Sequence, residues 1–507
     1  MSQETGAVKK IVIAGGGTAG WMAASGLAKL LGDQNLEIEL VESEQIGTIS
    51  VGEATLPHIR FFNQKLGLDE ADFIAKTQAT IKLGIEFKDW GRIGDSYIHP
   101  FGDYGRDFNE VDFHHYWLKL NQMHKAGRID DYSLPIVMAE MNKFGFPDPD
   151  ERSVMSSFSY AFQMDASLYA KYLRGFAENL GVKRTEGRIV DVTQHAETGF
   201  IKSLVLEDGT SVEGDIFLDC TGFRALLIDK TLKIGFEDWS NYLPCDRAIA
   251  VPCEGSDTPI PYTRATARGA GWQWRIPLQH RIGNGYVYCS EFISDDEACA
   301  DILANLDGKP LNDPLFLKFQ AGKRKTQWEK NCITIGLSSG FLEPLESTSI
   351  YLIQAAITNF IEMFPQKDCA ETDVKEFNRI MDLEYERVKD FLILHYYATE
   401  RDDTPFWNHV RNMEIPDSLE YKMSLFRERG IVVEYKDGLF LHPSWVAVYL
   451  GQRIVPKRYD PLVDAIPTDA LIQRLDEMKG QIAQVVGALP SHPEFLRSNC
   501  PAPPVSM

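Results

Sequence analysis

The sequence predicts an α/β protein with a Rossmann-like nucleotide-binding body that contains mixed sheets, followed by a mainly helical region. Three observations support this prediction: a glycine-rich turn directly after a short apolar run, alternating strand-like and helix-like segments up to about residue 360, and helical periodicity beyond it. We expect the body to span residues 1–360, with an insertion at about 105–150, and the helical region to span 361–507. A hydrophobic fraction of 44% in 507 residues is sufficient for a large core.

Composition argues against several functional classes. The formal net charge of −21 argues against nucleic-acid binding, because no contiguous basic stretch offsets it. The eight cysteines include no C-x-x-C pair and are expected to be reduced thiols. The adjacent pair His114-His115 is interpreted as a surface or pocket feature, and no metal site is predicted. Without a signal-peptide pattern or a run of 18 apolar residues, we expect a cytoplasmic protein with no membrane segment.

The first element is a nucleotide-binding motif. Lys10-Ile11-Val12-Ile13-Ala14 is an apolar run typical of a buried parallel strand, and a helix rich in Ala and Leu is predicted over residues 22–31. A second apolar run, residues 38–41, is followed by an acid where the ribose of a dinucleotide is bound. Glycines let backbone N–H groups approach a pyrophosphate at the helix N-terminus. The predicted contacts are Gly15, Gly17, Thr18, Ala19, Gly20 and Glu42.

Two later segments indicate which dinucleotide binds. Residues 215–222 and 332–340 each place a strand before a glycine turn. Recognition in several parts is similar to that of flavoproteins, and no second complete G-x-G-x-x-G motif offers a nicotinamide site. The sequence therefore predicts FAD, reduced by an outside source. Its contacts are expected to include Asp219, Gly222, Gly336 and Leu337.

The segment after Gly340 predicts an anion site. An amphipathic helix ends before Pro365, and Ser347 and Thr348 are favourable N-cap residues, so residues 346–349 should lie where this helix begins. Backbone N–H groups in a first helical turn lack intrahelical acceptors and can bind an anion. The residues alone leave ordinary helix capping open as the alternative.

Alternation of apolar and polar residues predicts a strand over residues 81–90. The apolar side chains from Ile81 to Phe87 would lie on one face and Lys82 on the other. A lysine on the polar face of a strand is usually a solvated charge. The pattern alone does not distinguish such a charge from a functional amine.

A pair of tryptophans occurs in Gly271-Trp272-Gln273-Trp274-Arg275-Ile276-Pro277, two residues apart and on the same side of an extended segment. This W-x-W-x-I-P string and the N-terminal glycine loop together resemble the flavin-dependent tryptophan halogenases, and the resemblance covers most of the chain. The pattern itself leaves open two indoles packed in a core.

The resemblance implies roles for further residues. The family carries the string E-P-L-E-S-T, present here at residues 343–348, in which the second glutamate, Glu346, acts in catalysis. The implied halide contacts are Ser347, Thr348 and Ser349. Ser349 stands where the family often has glycine, which leaves the choice of chloride or bromide open. An essential lysine precedes the isoleucine of an I-x-F-x-x-W string by three residues, and Lys82 matches it.

Other strings match flavin and substrate contacts. Val51-Gly52-Glu53-Ala54-Thr55 resembles a flavin-contacting turn, and His99-Pro100-Phe101-Gly102 resembles a substrate-pocket segment. The implied flavin contacts are Gly52, Glu53, Ala54 and Thr55. The implied substrate contacts are His99, Phe101, Trp272, Trp274 and Trp445. By the same resemblance, the body binds FAD, and the helical region and the insertion cap the substrate.

The implied reaction uses FADH2 from a separate flavin reductase, oxygen and a halide (bromide and/or chloride). Hypohalous acid forms, and Lys82 directs it to a small aromatic substrate. Members that bind free tryptophan use a tyrosine pair and a nearby glutamate in their C-terminal third, whereas residues 438–450 contain neither an acid nor Tyr-Tyr. Burial of an ammonium without a carboxylate is costly, so indole or an indole derivative is the predicted substrate. The sequence leaves homodimerisation open.

Two other classes share parts of this pattern. An FAD-dependent aromatic hydroxylase would have the flavin motifs without needing Lys82 or the tryptophan pair. A catalytically silent flavoprotein would need neither Lys82 nor Glu346. Reduced flavin, bromide and a panel of indoles would separate the three classes by giving a halogenated product, an oxygenated product or none.

Overall fold

The computed structural model describes residues 6–32, 35–46, 52–433 and 438–504. Within these ranges, no helix is both long enough and apolar enough to cross a membrane. The chain forms two compact units, and each unit is assembled from three segments. Unit 1 comprises residues 1–78, 164–246 and 318–386, and unit 2 comprises residues 79–163, 247–317 and 387–507.

The strands are short, and none of those described exceeds eight residues. In chain order they are β1 (Lys10–Ala14), β2 (Glu37–Glu42), β3 (Gly52–Ala54), β4 (Thr80–Lys82), β5 (Gly84–Lys88), β6 (Ser96–Pro100), β7 (Ala161–Asp165), β8 (Lys183–Glu186), β9 (Ile189–Gln194), β10 (Ile201–Leu206), β11 (Ser211–Glu213), β12 (Ile216–Asp219), β13 (Phe236–Asp238), β14 (Arg247–Ala250), β15 (Cys253–Glu254), β16 (Thr263–Arg268), β17 (Gly271–Pro277), β18 (Arg281–Tyr288), β19 (Leu315–Lys318), β20 (Gly322–Arg324), β21 (Trp328–Glu329), β22 (Cys332–Thr334) and β23 (Gly340–Phe341).

The helices become more frequent toward the C-terminus. In chain order they are α1 (Thr18–Leu31), α2 (His58–Leu66), α3 (Glu70–Lys76), α4 (Phe113–Gln122), α5 (Leu134–Glu140), α6 (Ala166–Asn179), α7 (Asp295–Ala304), α8 (Ser349–Glu362), α9 (Glu371–Tyr397), α10 (Pro405–Arg411), α11 (Asp417–Arg429), α12 (His442–Gly451), α13 (Thr468–Ala488) and α14 (His492–Asn499).

Unit 1 contains a sheet with the strand order β21-β22-β12-β1-β2-β8. β1 lies between β12 and β2 and is parallel to both, with Ile11 opposite Ile216 and Ile38. The side chains of β1 from Ile11 to Ala14 are fully buried, as is typical of a parallel strand that is covered on both faces. The carboxyl ends of β1, β2, β12 and β22 meet at one edge of the sheet, where open α/β sheets bind ligands.

Unit 2 contains most of a second sheet, which has the strand order β19-β14-β18-β17-β16-β5-β6, with β15 also paired to β18. β17 is antiparallel to both β16 and β18, whereas β5 and β16 are parallel. β4 pairs with β7 instead and places Lys82 opposite Ala161. Helix α12 packs against β6 in the same unit. This sheet therefore carries the tryptophan pair on β17 and His99 on β6, whereas Lys82 lies on β4, which belongs to a different sheet.

The mixed sheets and the helices confirm the predicted α/β class. The predicted first strand coincides with β1, and the helix predicted from residue 22 begins four residues earlier, at Thr18. The strand predicted over residues 81–90 is wrong as one element, because Leu83 separates β4 from β5. The Leu83 N–H donates to Pro261, and its carbonyl oxygen accepts from Phe101. The division of roles at residue 360 stays a prediction.

Candidate active site

The glycine loop of unit 1 has the shape that a phosphate group requires. Gly15 has a φ of +106°, and a Cβ there would collide with the carbonyl oxygen of Cys220. A Cβ on Gly20 would collide with the carbonyl oxygen of Gly15, so glycine allows α1 to begin this close to β1. A Cβ on Gly17, the N-cap of α1, would meet no atom within 4 Å. The first-turn N–H groups are those of Thr18, Ala19 and Gly20. An open backbone before unpaired N–H donors fits a pyrophosphate.

Glu42 ends β2 as predicted, and its carboxylate lies beside the glycine loop. Oε1 accepts a hydrogen bond from Arg184 Nε at 2.6 Å and lies 3.7 Å from Arg174. Oε2 is the atom that a Cβ on Gly16 would meet first. The arginines, which sequence analysis missed because they lie far along the chain, therefore hold one oxygen while the other faces the loop. This position fits the binding of a ribose hydroxyl.

The second and third predicted flavin segments end beside the same loop. Gly222 follows β12 and Gly336 follows β22, with φ values of +66° and +77°. A Cβ on Gly336 would lie 2.8 Å from the Cβ of Ala19, whereas one on Gly222 would meet nothing within 4 Å. Leu337 is 36% exposed. The turns at Gly222 and Gly336 therefore lie close enough to the glycine loop for all three segments to contact one ligand.

Asp219 has a structural role that its sequence position did not indicate. It is fully buried, its Oδ1 accepts from the backbone N–H and hydroxyl of Thr221, and its Oδ2 accepts from the N–H groups of Leu227 and Ile228. Burial raises the pKa of this carboxyl group, and the four hydrogen bonds oppose that effect. The carboxylate stabilises the turn that carries Gly222, and its contact with FAD stays a prediction.

The G-E-A-T turn corresponds to β3 and the residue after it. Gly52, Ala54 and Thr55 are buried, and Glu53 is half-buried. Val51 lies outside the described residues. The contacts of these residues with flavin stay a prediction.

The segment predicted to hold the halide is a tight turn that leads into α8. Pro344–Glu346 forms one 3-10 turn, Ser347 adopts a left-handed conformation with a φ of +59°, and α8 begins at Ser349. The side chains of Glu343 and Glu346 are fully buried. Full burial of a carboxylate is rare, which makes both glutamates candidates for chemistry.

The start of α8 is where the sequence predicted it, but ordinary side-chain capping is not what forms it. Thr348 occupies the N-cap position, and its side chain makes no capping hydrogen bond. Its Oγ1 is buried and has no hydrogen-bond partner among the described residues. A buried hydroxyl in this state requires an explanation. Together with the first-turn N–H groups that begin at the half-buried Ser349, it fits a small anion.

Lys82 lies in the interior of unit 2, so the alternative of a solvated lysine is wrong. Its side chain is fully buried, and Nζ lies 5.1 Å from the centre of the Phe101 ring, which is a cation–π distance. All three residues of β4 are buried, which means that both faces of this strand are covered. The alternating pattern therefore did not mark a solvent-exposed face.

An aromatic cluster surrounds the predicted substrate residues of unit 2. The rings of His99 and Phe101 are 6.5 Å apart, and His99 packs 5.7 Å from Phe391 and 6.3 Å from Phe440. Trp445 lies 5.0 Å from Phe391. The structure thus brings Trp445 together with His99 and Phe101, which the sequence had indicated in a distant segment. It adds Phe391 and Phe440, which carried no distinguishing signal among the apolar residues of this region.

A buried ion pair lies next to this cluster. Lys422 Nζ is 3.0 Å from Asp390 Oδ2, which also accepts from Ser418 Oγ at 2.8 Å. The same Nζ lies 4.9 Å from the centre of the Trp445 ring. Both charged groups are almost fully buried. The Asp390 carboxylate is therefore balanced by a cation of the same unit.

The two motif tryptophans lie on β17 as neighbours on one face. Trp272 and Trp274 are 1% and 9% exposed, and their ring centres are 6.2 Å apart. Trp274 pairs across the sheet with Gly285 of β18, and any Cβ at position 285 would clash with its indole. Glycine at this position lets the indole lie flat on the neighbouring strand. The expected common face is confirmed, and the contacts of both residues with substrate stay a prediction.

Comparisons with known proteins agree on one group of enzymes. A family model described as tryptophan halogenase matches residues 10–468. The structure is similar to that of a flavin-dependent halogenase from Xanthomonas campestris, with 48% identity, a TM-score of 0.95, and coverage of 99% of this chain and 100% of the other. A flavin-dependent halogenase from Brevundimonas sp. BAL3 gives 46% identity, a TM-score of 0.94, and coverage of 97% and 99%. The tryptophan 6-halogenase of Streptomyces toxytricini is 33% identical over 96% of this chain and 97% of its own length.

Proposed function

This chain belongs to the tryptophan halogenase family, and we propose that it halogenates indole or a neutral indole derivative, with bromide preferred to chloride. It is a flavin-dependent halogenase and therefore an oxidoreductase. The observation that carries the substrate proposal is the pairing of Asp390 with Lys422 beside Trp445.

FAD and a halide are the cofactors that membership of this family implies. The glycine loop, Glu42 and the turns at Gly222 and Gly336 fit FAD, for the geometric reasons given above. Bound reduced FAD supplies, with oxygen, the oxidising equivalent that converts halide to hypohalous acid. The absence of a second complete dinucleotide motif in the sequence supports supply of FADH2 by a separate flavin reductase.

The halide is assigned to Ser347, Thr348 and the first-turn N–H groups of α8. The unpaired Oγ1 of Thr348 supports this assignment, because a hydroxyl can donate to an anion. Ser349 adds a side chain where the family often has glycine. Bromide sheds water more readily than chloride and is easier to oxidise, and we therefore expect it to be the better halide in this altered site.

Lys82 is assigned the transfer of halogen, and Glu346 the control of its position. The Lys82 amine either donates a hydrogen bond to hypohalous acid or forms an N–halogen bond with it, in which case the O–halogen bond breaks and water leaves. The electrophilic halogen then passes to the ring. Burial of Lys82 supports this role, because a flexible amine in solvent would release the oxidant without directing it. The Glu346 carboxylate orients the halogen donor or accepts the proton that the ring loses.

The substrate is assigned to the aromatic cluster. Phe101, Trp445 and the residues around them offer stacking surfaces, worth about 0.5–1.5 kcal/mol per aromatic pair beyond burial. An ammonium group beside Trp445 would meet the Lys422 cation and a carboxylate that is already neutralised. A neutral indole avoids this cost.

We expect kcat/KM for indole to exceed that for free tryptophan by about 10-fold or more, since 1.4 kcal/mol corresponds to a factor of ten. Purified protein would be supplied with reduced FAD, oxygen, and equal concentrations of indole and tryptophan, first with bromide and then with chloride. The expected main product is indole brominated at C3, the most nucleophilic ring position. Preferential chlorination of tryptophan on its benzene ring would contradict both the substrate and the halide assignment.

The tryptophan pair is proposed to prevent direct oxygenation of the substrate. Trp272→Phe and Trp274→Phe should each lower the ratio of halogenated to oxygenated product by about 2- to 10-fold, the equivalent of losing one aromatic contact. Trp407→Phe is a matched control, because Trp407 is a fully buried tryptophan of the same unit that lies outside this motif. Unchanged product ratios in both motif variants would assign the pair to core packing.

A further inference from the structure

Unit 2 contains a second cluster of ligand-type side chains that the proposed reaction does not use. It consists of Asp112, His114 and His442. A surface position for His114 and its neighbour His115 is wrong, since they are only 3% and 5% exposed. Buried imidazoles without an assigned function require a physical explanation.

Two helix starts bring the three side chains together. Asp112 is the N-cap of α4, His114 lies in the first turn of that helix, and His442 is the first residue of α12. His442 Nε2 lies 3.3 Å from Asp112 Oδ2, and the imidazole centres of His114 and His442 are 5.0 Å apart. Ligand atoms of Asp112 and His114 lie within 4.8 Å of each other.

The hydrogen bond of His114 fixes the state of its ring. Nε2 lies 2.7 Å from the carbonyl oxygen of Gly430, and a carbonyl oxygen only accepts, so Nε2 carries the hydrogen. In the neutral ring Nδ1 then has a free lone pair. This atom is buried and has no hydrogen-bond partner among the described residues. His442 Nε2 faces the Asp112 carboxylate, which only accepts, so in the neutral ring the hydrogen lies on Nε2. This hydrogen moves to Nδ1 when a metal ion takes the place of the contact with Asp112, whereas the lone pair of His114 Nδ1 is already available.

We propose that Asp112, His114 Nδ1 and His442 Nε2 bind one divalent transition-metal ion, with Zn²⁺ as the reference ion. Two imidazoles and a carboxylate suit this class, whereas Ca²⁺ and Mg²⁺ prefer oxygen ligands. The Gly430 carbonyl gives His114 the outer hydrogen bond that metal-binding histidines usually have. Asp112 and His442 are partly exposed, which provides an entry path for the ion.

His115 is excluded from the ligand set by its own hydrogen bond. Its Nδ1 accepts from the backbone N–H of Asp460 at 3.2 Å, so the hydrogen of the neutral ring lies on Nε2. Nε2 then has no lone pair for a metal, although the ring lies only 4.1 Å from that of His114. His115 is therefore a matched control that lies next to the cluster without belonging to it.

The test is titration of the untagged full-length protein with Zn²⁺ by calorimetry, and with Co²⁺ by its visible absorption. We expect one ion per chain and a melting temperature that rises with metal concentration. His442→Ala and Asp112→Asn should weaken binding by about 10-fold or more. His115→Gln should retain wild-type affinity, as should His195→Ala, which removes an exposed histidine of unit 1.

The two ligand variants alter partly exposed side chains, so a melting temperature measured with a chelator will show whether each remains folded. Absence of stoichiometric binding to wild-type protein would overturn the proposal and leave an ordered water at the cluster. Equal affinity in wild type and both ligand variants would also overturn it, as would a loss in His115→Gln as large as theirs. These readouts do not depend on halogenation, so failure of the proposed reaction would not affect them.

Discussion

Lys82→Ala is expected to lower halogenation turnover by at least about 10²-fold while FAD remains bound. The amine is fully buried and its Nζ faces the Phe101 ring, so we expect that a solvent-exposed lysine does not replace it. Alanine leaves the oxidising chemistry of the flavin intact but removes the group that directs the halogen. Turnover would be measured under saturating reduced FAD, with flavin content and melting temperature recorded for each variant.

Two other lysines serve as controls for this experiment. Lys76 lies on the surface in an ion pair with Asp72 at 2.9 Å, and Lys88 is an exposed residue at the end of β5. Alanine at either position should leave turnover near that of wild type. Lys82→Met tests the effect of burial, because it keeps the volume of the side chain and removes the amine. Near wild-type turnover in Lys82→Ala or Lys82→Met would remove Lys82 from the mechanism.

The geometry of the glycine loop in unit 1 could be predicted from the sequence because its requirements are local. A phosphate-binding turn requires glycine at defined backbone positions, and Gly15 and Gly20 meet that requirement through contacts within a few residues of the motif or with the neighbouring strand. The role of Asp219 could not be predicted in this way. Its four donors include Leu227 and Ile228, which are placed by a turn whose shape the sequence pattern does not specify.

The state of Lys82 could not be predicted because burial depends on distant segments. β4 pairs with β7, about 80 residues later in the chain. The pattern of residues 81–90 contains no information about which distant segments bury Lys82. The aromatic cluster has the same origin, since Phe391 lies in α9 and Phe440 lies in the bend before α12. The period-two alternation identified a strand. Which faces of that strand are buried was determined by the assembly of each unit from three segments.

The conformation at residues 346–349 was predicted in part. N-cap residue types correctly located the start of α8, because helix starts carry a local signal. The left-handed Ser347 and the uncapped Thr348 hydroxyl were not predicted, since both depend on the tight 3-10 turn that precedes them. Because the Thr348 hydroxyl makes no capping hydrogen bond, it can donate to an anion instead.

Glu346→Gln is expected to lower the rate of halogenation by about 10²-fold, with little effect on flavin content. The amide has nearly the same shape as the buried carboxylate but cannot accept the ring proton or hold a halogen donor as an anion does. Loss of a proton acceptor should also make removal of the ring hydrogen slower. We therefore expect indole deuterated at C3 to react more slowly than ordinary indole in the variant, and at a similar rate in wild-type protein.

Glu343→Gln is the matched control for Glu346→Gln, because Glu343 is equally buried and lies three residues earlier in the same segment. If burial of a charged group were the source of the effect, both amides would change turnover and melting temperature alike. A chemical role for Glu346 predicts a loss of turnover at Glu346 alone, accompanied by the isotope effect. Wild-type turnover in Glu346→Gln would remove this carboxylate from the mechanism, and loss of turnover in Glu343→Gln alone would transfer its role to the first glutamate of the string.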